Sequence, residues 1–283
     1  MKLINSVAVI GSGTMGAGIA QVCAQAGVSV FLFDVNEDAL LKAKSNIANS
    51  YTQAVQKNKI TEVEMTASLA RIKFTNHFTD LVADLCIEAI VEKLDVKRDL
   101  LQRLAAQNLP QCILASNTSS IPITQIAALV PFPERVVGIH FFNPAHLMKL
   151  VEVIAGAETS TEVVETAKVF VAKLGKTAVT AKDAPGFIVN RVARHYYVEA
   201  LKILEENVSS FENIDLLMEA SGFKMGPFRL MDLIGIDTNY SVTSSIYEQF
   251  AYDSKFRPSR IQKQKVDAGH WGKKRGFGFY KYE

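Results

Sequence analysis

A chain of 283 residues is long enough for one large domain or two ordinary ones. Hydrophobic residues make up 48% and charged residues 21%, the balance of a globular protein with a buried core, which excludes a disordered chain. The formal net charge of +2 is too small to point to nucleic acid or an anionic membrane surface, and no apolar run is long enough to span a bilayer.

Residues 3–10 and 28–33 read as short buried strands, and 15–26 between them, rich in Ala, Gln and small side chains, as a helix packed closely on a sheet. Strand, glycine turn, helix and strand make a βαβ unit. The first strand follows Met1 and Lys2 directly, so no signal or transit peptide is expected. Asn36 is placed to cap a long helix with Glu37 and Asp38 in its first turn, and Leu40, Ile47, Tyr51 and Val55 recur at helical spacing. Thr61 and Glu64 have the spacing of a capping box, so residues 36–70 are expected to form a helical hairpin projecting from the sheet. Further buried strands are expected over 84–89, 112–116, 136–140 and 149–154, with helical patterns between the earlier ones. The last two are joined by a short Asn143-Pro144 loop, which suggests an antiparallel pair late in the sheet. One more helix over 162–174 and a final strand over 177–180 complete this region.

At Asp183-Ala184-Pro185-Gly186 the pattern changes to helix after helix, with turn signals at Ser209-Ser210, Gly222, Gly235 and Arg257-Pro258. Ile188, Val192, Ala200, Ile203 and Leu204 mark the expected buried stripe of the first of these helices. Cys23, Cys86 and Cys112 are far apart and form no CxxC, which reads as reduced thiols in a reducing compartment, the cytoplasm.

Gly11-Ser12-Gly13-Thr14-Met15-Gly16 has the form GxGxxG, a pattern that is weak alone. Here it follows an apolar strand and opens a helix, and a second strand ends at Asp34. In a dinucleotide site Gly11 permits the tight turn, Gly13 lets backbone approach the pyrophosphate, and Gly16 allows close helix–strand packing. The helix N-terminus offers N–H groups to the phosphates. Asp34 would accept hydrogen bonds from the adenosine ribose and repel a 2′-phosphate, which favours NAD over NADP. The competing possibility is a tight turn beside a solvated aspartate. The whole chain is therefore expected to be α/β: a Rossmann-type doubly wound sheet with a helical hairpin insertion over 1–183, then an all-α domain over 184–283.

His140 ends one expected strand and Glu152 lies inside the next, where a carboxylate is unusual as core. Across a tight strand–loop–strand connection the two can meet. An imidazole held by a carboxylate suits the removal of a hydroxyl proton as hydride leaves. On spacing alone, a buried histidine and an unrelated carboxylate fit equally well.

The blocks Ser116-Asn117-Thr118-Ser119-Ser120, His140-Phe141-Phe142-Asn143-Pro144 and Asp183-Ala184-Pro185-Gly186-Phe187-Ile188-Val189-Asn190-Arg191 resemble the signature blocks of the L-3-hydroxyacyl-CoA dehydrogenases, the bacterial 3-hydroxybutyryl-CoA enzymes among them. The resemblance covers essentially the whole chain in order. It implies reversible, NAD-dependent oxidation of a short-chain (S)-3-hydroxyacyl-CoA. His140 matches the general base and Glu152 its orienting carboxylate. Ser119 matches a serine bonded to the reacting oxygen and the nicotinamide region, and Asn190 an asparagine that helps hold the substrate carbonyl. Met15, Asn117, Asn143, Glu92 and Lys97 match positions at the cofactor, and Lys57 a lysine that contacts coenzyme A phosphates. A homodimer formed through the helical domain is implied as well.

Each of these residues has a plainer role available. Ser119 can cap a helix, Asn190 and Glu92 can be polar surface, and Lys57 and Lys59 solvated charges. His77, His146, His195 and His270 have no partners in the sequence that single them out, and nothing resembles a metal site. The stretch from Lys224 to Gly235, followed by Asp237-Thr238-Asn239-Tyr240, resembles the 3-hydroxyadipyl-CoA branch, whose members often carry an acidic residue where this chain has Arg229. Arg229 is either a partner for a distal carboxylate or an exposed arginine. The default substrate is 3-hydroxybutyryl-CoA, with 3-hydroxyadipyl-CoA, or a sugar acid as in the gulonate dehydrogenases, as alternatives. A catalytically silent scaffold of the same fold would not need Ser119, His140, Glu152 and Asn190 together.

Overall fold

The computed structural model describes residues 3–283; Met1 and Lys2, on which the expectation of no leader rests, lie outside them. The chain divides into two compact units, the first ending at Ala184 and the second running Pro185–Glu283.

The first unit is built on an eight-stranded sheet of order β3-β2-β1-β4-β5-β6-β7-β8. In chain order its elements are β1 (Ser6–Ile10), α1 (Thr14–Gln25), β2 (Ser29–Phe33), α2 (Glu37–Gln56), α3 (Glu62–Ala70), β3 (Ile72–Thr75), β4 (Leu85–Glu88), α4 (Leu94–Gln107), β5 (Ile113–Ser116), α5 (Ile123–Ala127), β6 (Val136–Phe141), β7 (Leu150–Ala155), α6 (Thr161–Lys173) and β8 (Thr177–Lys182). β3 to β6 run parallel, β7 pairs antiparallel with β6, and β8 pairs parallel with β7. Val7, Val9, Leu32, Ile87, Val137, Ile139, Val151 and Val153 are fully buried, as expected of strands covered on both faces.

β3 is absent from the apolar pattern. It is four residues long, follows α3 directly, and carries the exposed Lys73, as an edge strand can. The caps of the helical hairpin stand where the sequence places them. Asn36 accepts from Ala39 N, and Thr61 and Glu64 form a reciprocal capping box. The base of the hairpin packs on α1, while its far end, residues 52–67, has no buried residue. Gly16 to Ala24 of α1 are buried without interruption, and a helix apolar all round must be covered on the side away from the sheet. α2 and α3 provide that cover. Ala43, Ile47 and Tyr51 are buried against α1, and the Tyr51 hydroxyl donates to the Gln21 carbonyl at 2.7 Å.

The second unit contains α7 (Val189–Glu205), α8 (Phe211–Ala220), α9 (Pro227–Ile234), α10 (Ile236–Gln249) and α11 (Arg260–Asp267). Its core gathers Tyr197, Leu201, Phe228, Met231, Ile236 and Phe279. The buried face of α7 differs from the expected stripe: Ile188 and Val192 are exposed, while Arg194, Tyr197, Val198, Ala200 and Leu201 are buried. Arg194 explains part of the shift. Its guanidinium donates to the carbonyls of Asn190 and Asn239 and to the Thr243 hydroxyl, tying the first turns of α7 to α10. Burial without a carboxylate lowers its pKa to about 10, so it stays charged.

Two buried carboxylates organise the rest. Asp215 accepts from Phe228 N and Arg229 N at the start of α9 and from the Tyr280 hydroxyl. Asp232, fully buried, accepts from Phe279 N and Tyr280 N at 2.9 Å and from the Tyr282 hydroxyl at 3.0 Å, which seals the C-terminal tail onto α9. Asp232→Ala strands two amides that the tail cannot otherwise satisfy, so we expect a loss of about 2–4 kcal/mol. Urea unfolding measures the loss, and limited proteolysis should cut first after residue 275. A tail as resistant as in the unchanged protein would show that Asp232 is not its anchor.

Candidate active site

The site is assembled at the carboxyl ends of β1, β2, β4, β5 and β6, where a doubly wound sheet binds its ligands. Gly11 adopts φ +100°, and a Cβ there would lie 2.6 Å from the Ala89 carbonyl oxygen. At Gly16 a Cβ would lie 1.7 Å from the Gly11 carbonyl oxygen, so the loop closes only with glycine at both positions. Gly13 differs: its φ is −62°, and a Cβ there would meet nothing within 4 Å. Its missing side chain keeps open a space that no protein atom fills, at the N-terminus of a 12-residue helix with no acidic residue in its first turn and no side-chain cap. Oriented amides beside open space suit a pyrophosphate. Asp34 follows β2, accepts from Ser12 N and Oγ at 2.8 Å and from Asn36 N at 3.1 Å, and keeps lone pairs for ribose hydroxyls. These residues fit a dinucleotide. Met15 is half-buried in the first turn of α1.

β4 ends in Glu88, a residue that the sequence reading passed over. Its carboxylate is fully buried and takes the Lys97 ammonium on both oxygens, at 2.9 and 2.8 Å, with the Ser116 hydroxyl and Ile90 N as further donors. Lys97 is only 1% exposed and reaches Glu92 as well, at 3.1 Å. Glu92 in turn accepts from Thr118 Oγ1 at 2.6 Å, Ser119 N at 3.0 Å and Ser120 Oγ at 3.3 Å. Burial pushes Glu88 above the usual carboxylate range against the pull of Lys97. Burial acts upward on Glu92 too, but Lys97 and the Thr118 hydroxyl outweigh it and hold that carboxyl below its ordinary value. Burial opposes the charge of Lys97, yet its two carboxylates prevail and raise it. Lys97 is thus sealed between two acids and braces the turn that carries Ser119. The legible signal was one acid at the end of an otherwise apolar strand, Leu85-Cys86-Ile87-Glu88.

The antiparallel register of β6 and β7 sets His140 directly opposite Glu152. Nδ1 lies 2.8 Å from Glu152 Oε2, with His140 5% exposed and Glu152 0%. Nδ1–H therefore donates to the carboxylate, which leaves Nε2 as the basic nitrogen. The Asn117 side chain accepts from Phe141 N at 2.8 Å and so joins the β5 turn to the end of β6. Asn143 is exposed in the loop beyond, whose carbonyls at Ala145 and Met148 are held by Lys176 Nζ at 2.6 Å.

The remaining candidates are more scattered. Lys57 and Lys59 are exposed at the α2–α3 turn, with Lys57 as the C-cap of α2. Asn190 is half-buried in the first turn of α7 and belongs to the second unit. Arg229 lies 3.7 Å from Glu219 and 4.0 Å from Asp215, over the Tyr280 ring at 4.4 Å. It is neither a simply solvated arginine nor an unpartnered one. His195 and His270 pack on Phe256 and Phe277.

Residues 6–184 match the family model of the 3-hydroxyacyl-CoA dehydrogenase NAD binding domain, and residues 186–282 that of the 3-hydroxyacyl-CoA dehydrogenase C-terminal domain. The chain is 48% identical over 279 residues to a 3-hydroxyadipyl-CoA dehydrogenase of Escherichia coli, covering 98% of this chain and 59% of that one. It is 44% identical over 282 residues to a 3-hydroxybutyryl-CoA dehydrogenase of Bradyrhizobium diazoefficiens, covering 99% and 96%. The solved structure of an (S)-3-hydroxybutyryl-CoA dehydrogenase from Ralstonia eutropha superposes with a TM-score of 0.94 at 39% identity, covering 99% of each chain.

The two inner glycines should respond differently to a methyl group. Gly13→Ala should alter stability by no more than about 1 kcal/mol, because backbone and space both allow it, yet weaken NAD binding about tenfold or more. Gly16→Ala should cost at least about 3 kcal/mol, since its Cβ meets backbone. Thermal unfolding and calorimetric titration measure the two effects, and undiminished NAD affinity in Gly13→Ala would remove this loop from the cofactor site.

Proposed function

Because the chain belongs to the 3-hydroxyacyl-CoA dehydrogenase family, we propose that it reversibly oxidises a short-chain (S)-3-hydroxyacyl-CoA to the 3-ketoacyl-CoA with NAD. The observation that carries this is the buried His140–Glu152 pair, a base and its carboxylate on facing strands. NAD, held at Gly11, Gly13, Met15 and Gly16 with its ribose at Asp34, supplies the hydride-accepting ring. His140 Nε2 takes the hydroxyl proton, and Glu152 stabilises the imidazolium that results. In reverse the protonated His140 returns that proton to the 3-keto oxygen. Ser119 holds the reacting oxygen, Asn190 the substrate carbonyl, and Asn117, Asn143, Glu92 and Lys97 the cofactor end of the site, Lys97 through Glu92. Lys57 is a clamp for coenzyme A phosphate. Residues 1–183 bind NAD, and 184–283 form the substrate and dimer domain.

3-Hydroxybutyryl-CoA is the default substrate. The 3-hydroxyadipyl-CoA alternative has the name of the Escherichia coli relative in its favour. Arg229 does not support it, since Glu219, Asp215 and Tyr280 already engage that side chain. A homodimer is favoured by the exposed apolar residues Val192, Leu216, Leu217 and Leu233 of the helical unit. Three cysteines outside any disulfide suit a cytoplasmic protein.

The decisive assay measures kcat/KM for C4, uncharged C6 and dicarboxyl C6 thioesters with NAD and with NADP. We expect NAD and the C4 substrate to prevail, and Arg229→Ala to leave the ranking unchanged. Activity confined to long chains, or a preference for NADP, would overturn the proposal. His140→Ala should lower kcat by about 10²–10⁴-fold, and adding Glu152→Ala should lower it little further, because one residue acts through the other. Near-normal turnover by folded His140→Ala would defeat the mechanism.

A further inference from the structure

We propose that Glu88 is a charge-setting residue: with Lys97 and Glu92 it forms a cluster of net charge −1 at the end of β4, which shifts the site's relative affinity toward oxidised, cationic nicotinamide and away from the neutral reduced form. This rests on the reading above that NAD lies over the carboxyl ends of the strands.

The charge count follows from the hydrogen bonds. Glu88 Oε1 accepts from Lys97 Nζ and the Ser116 hydroxyl, and Oε2 from Lys97 Nζ and Ile90 N. Four hydrogen bonds from three groups converge on one carboxylate, so a proton on it would have to displace one of them. Glu92 likewise takes the Thr118 and Ser120 hydroxyls, Ser119 N and Lys97. The Lys97 ammonium has three contacts and all go to these carboxylates. Two acids and one base, all ionised, leave one negative charge.

Its placement follows from the backbone. Ala89, next to Glu88, donates to the Ile10 carbonyl at 2.7 Å, and its own carbonyl abuts Gly11. On the other side Asn117 N donates to the Glu88 carbonyl at 2.9 Å. The cluster therefore lies between the glycine loop and the Ser119 turn, the two segments assigned to the cofactor. Glu88 at 0% and Lys97 at 1% exposure are shielded from water, whereas Glu92, at 38%, is partly screened by it. Oxidised nicotinamide carries a positive charge that hydride transfer removes, so a negative cluster distinguishes the two redox forms. A plain brace for the 116–120 turn would not.

The experiment compares unchanged protein, Glu88→Gln and the double variant Glu88→Gln/Lys97→Met, titrated separately with NAD+, NADH and ADP-ribose, which lacks the nicotinamide. Glu88→Gln brings the cluster to zero charge, and the ratio Kd(NAD+)/Kd(NADH) should rise roughly 3- to 30-fold, as for one charge at about 10 Å in a partly polar medium. ADP-ribose affinity should change by less than about twofold. In the double variant Glu92 alone carries −1, so the ratio should return most of the way to its original value. If Glu88→Gln weakens all three ligands by one factor, Glu88 is a brace and the proposal falls. If Glu88→Gln does not fold, Glu92→Gln, which removes the same charge from the exposed member of the cluster, decides: a raised ratio upholds the charge count, and an unchanged one overturns it. Failure of the unchanged protein to bind any of the three would instead overturn the cofactor site itself.

Discussion

The antiparallel pairing of β6 against β7 is the constraint on which the proposed chemistry depends. Parallel strands joined by helices bring many residues to one end of a sheet, but they bring them at a distance. Reversing direction once, through the loop at Asn143-Pro144, places His140 and Glu152 face to face in one register. Side chains alternate along a strand, so a slip of one residue would turn the carboxylate to the opposite face. The buried Val151 and Val153 on either side of Glu152 resist that slip, because it would bring the carboxylate's face and theirs into exchange. Packing and the proposed catalysis thus require the same register.

Much of this could be read from the chain before any coordinates. The strands β1, β2 and β4 to β7 are apolar runs ending in glycine or polar residues, and burial on both faces makes such runs continuous. The caps at Asn36 and Thr61 were equally plain, since a cap is a local matter of side chain and backbone. What escaped was decided at longer range. β3 is a strand because β2 has an open edge, a fact that Ile72-Lys73-Phe74-Thr75 does not encode by itself. Where the hairpin lies depends on α1 needing cover, and which face α7 buries depends on the partners available to Arg194.

The candidate site shows the same division. His140 and Glu152 stood out as polar residues in apolar strands, and the glycine loop as a spaced motif. Glu88 met the first criterion equally well but had no familiar neighbour in sequence, and its partners Lys97 and Ser116 come from α4 and β5. Its importance is a property of three elements meeting. Under the proposed reaction the two acidic centres have complementary tasks. Positive charge leaves the nicotinamide, beside the Glu88 cluster, and appears on the imidazole, beside Glu152.

The bond from Phe141 N to the Asn117 side chain has a mechanical consequence. Asn117 stands in the turn that carries Ser119, and Phe141 follows His140, so one short link couples the group proposed to hold the reacting oxygen to the proposed base. A displacement of that turn would then carry the imidazole along with it. Motion becomes common-mode, in the sense used of a paired sensor: both elements wander together and the difference between them stays small. A proton transfer tolerates errors of only a few tenths of an ångström in separation, while absolute position hardly matters. One amide therefore ties together the two sides of the gap across which the proton is proposed to move.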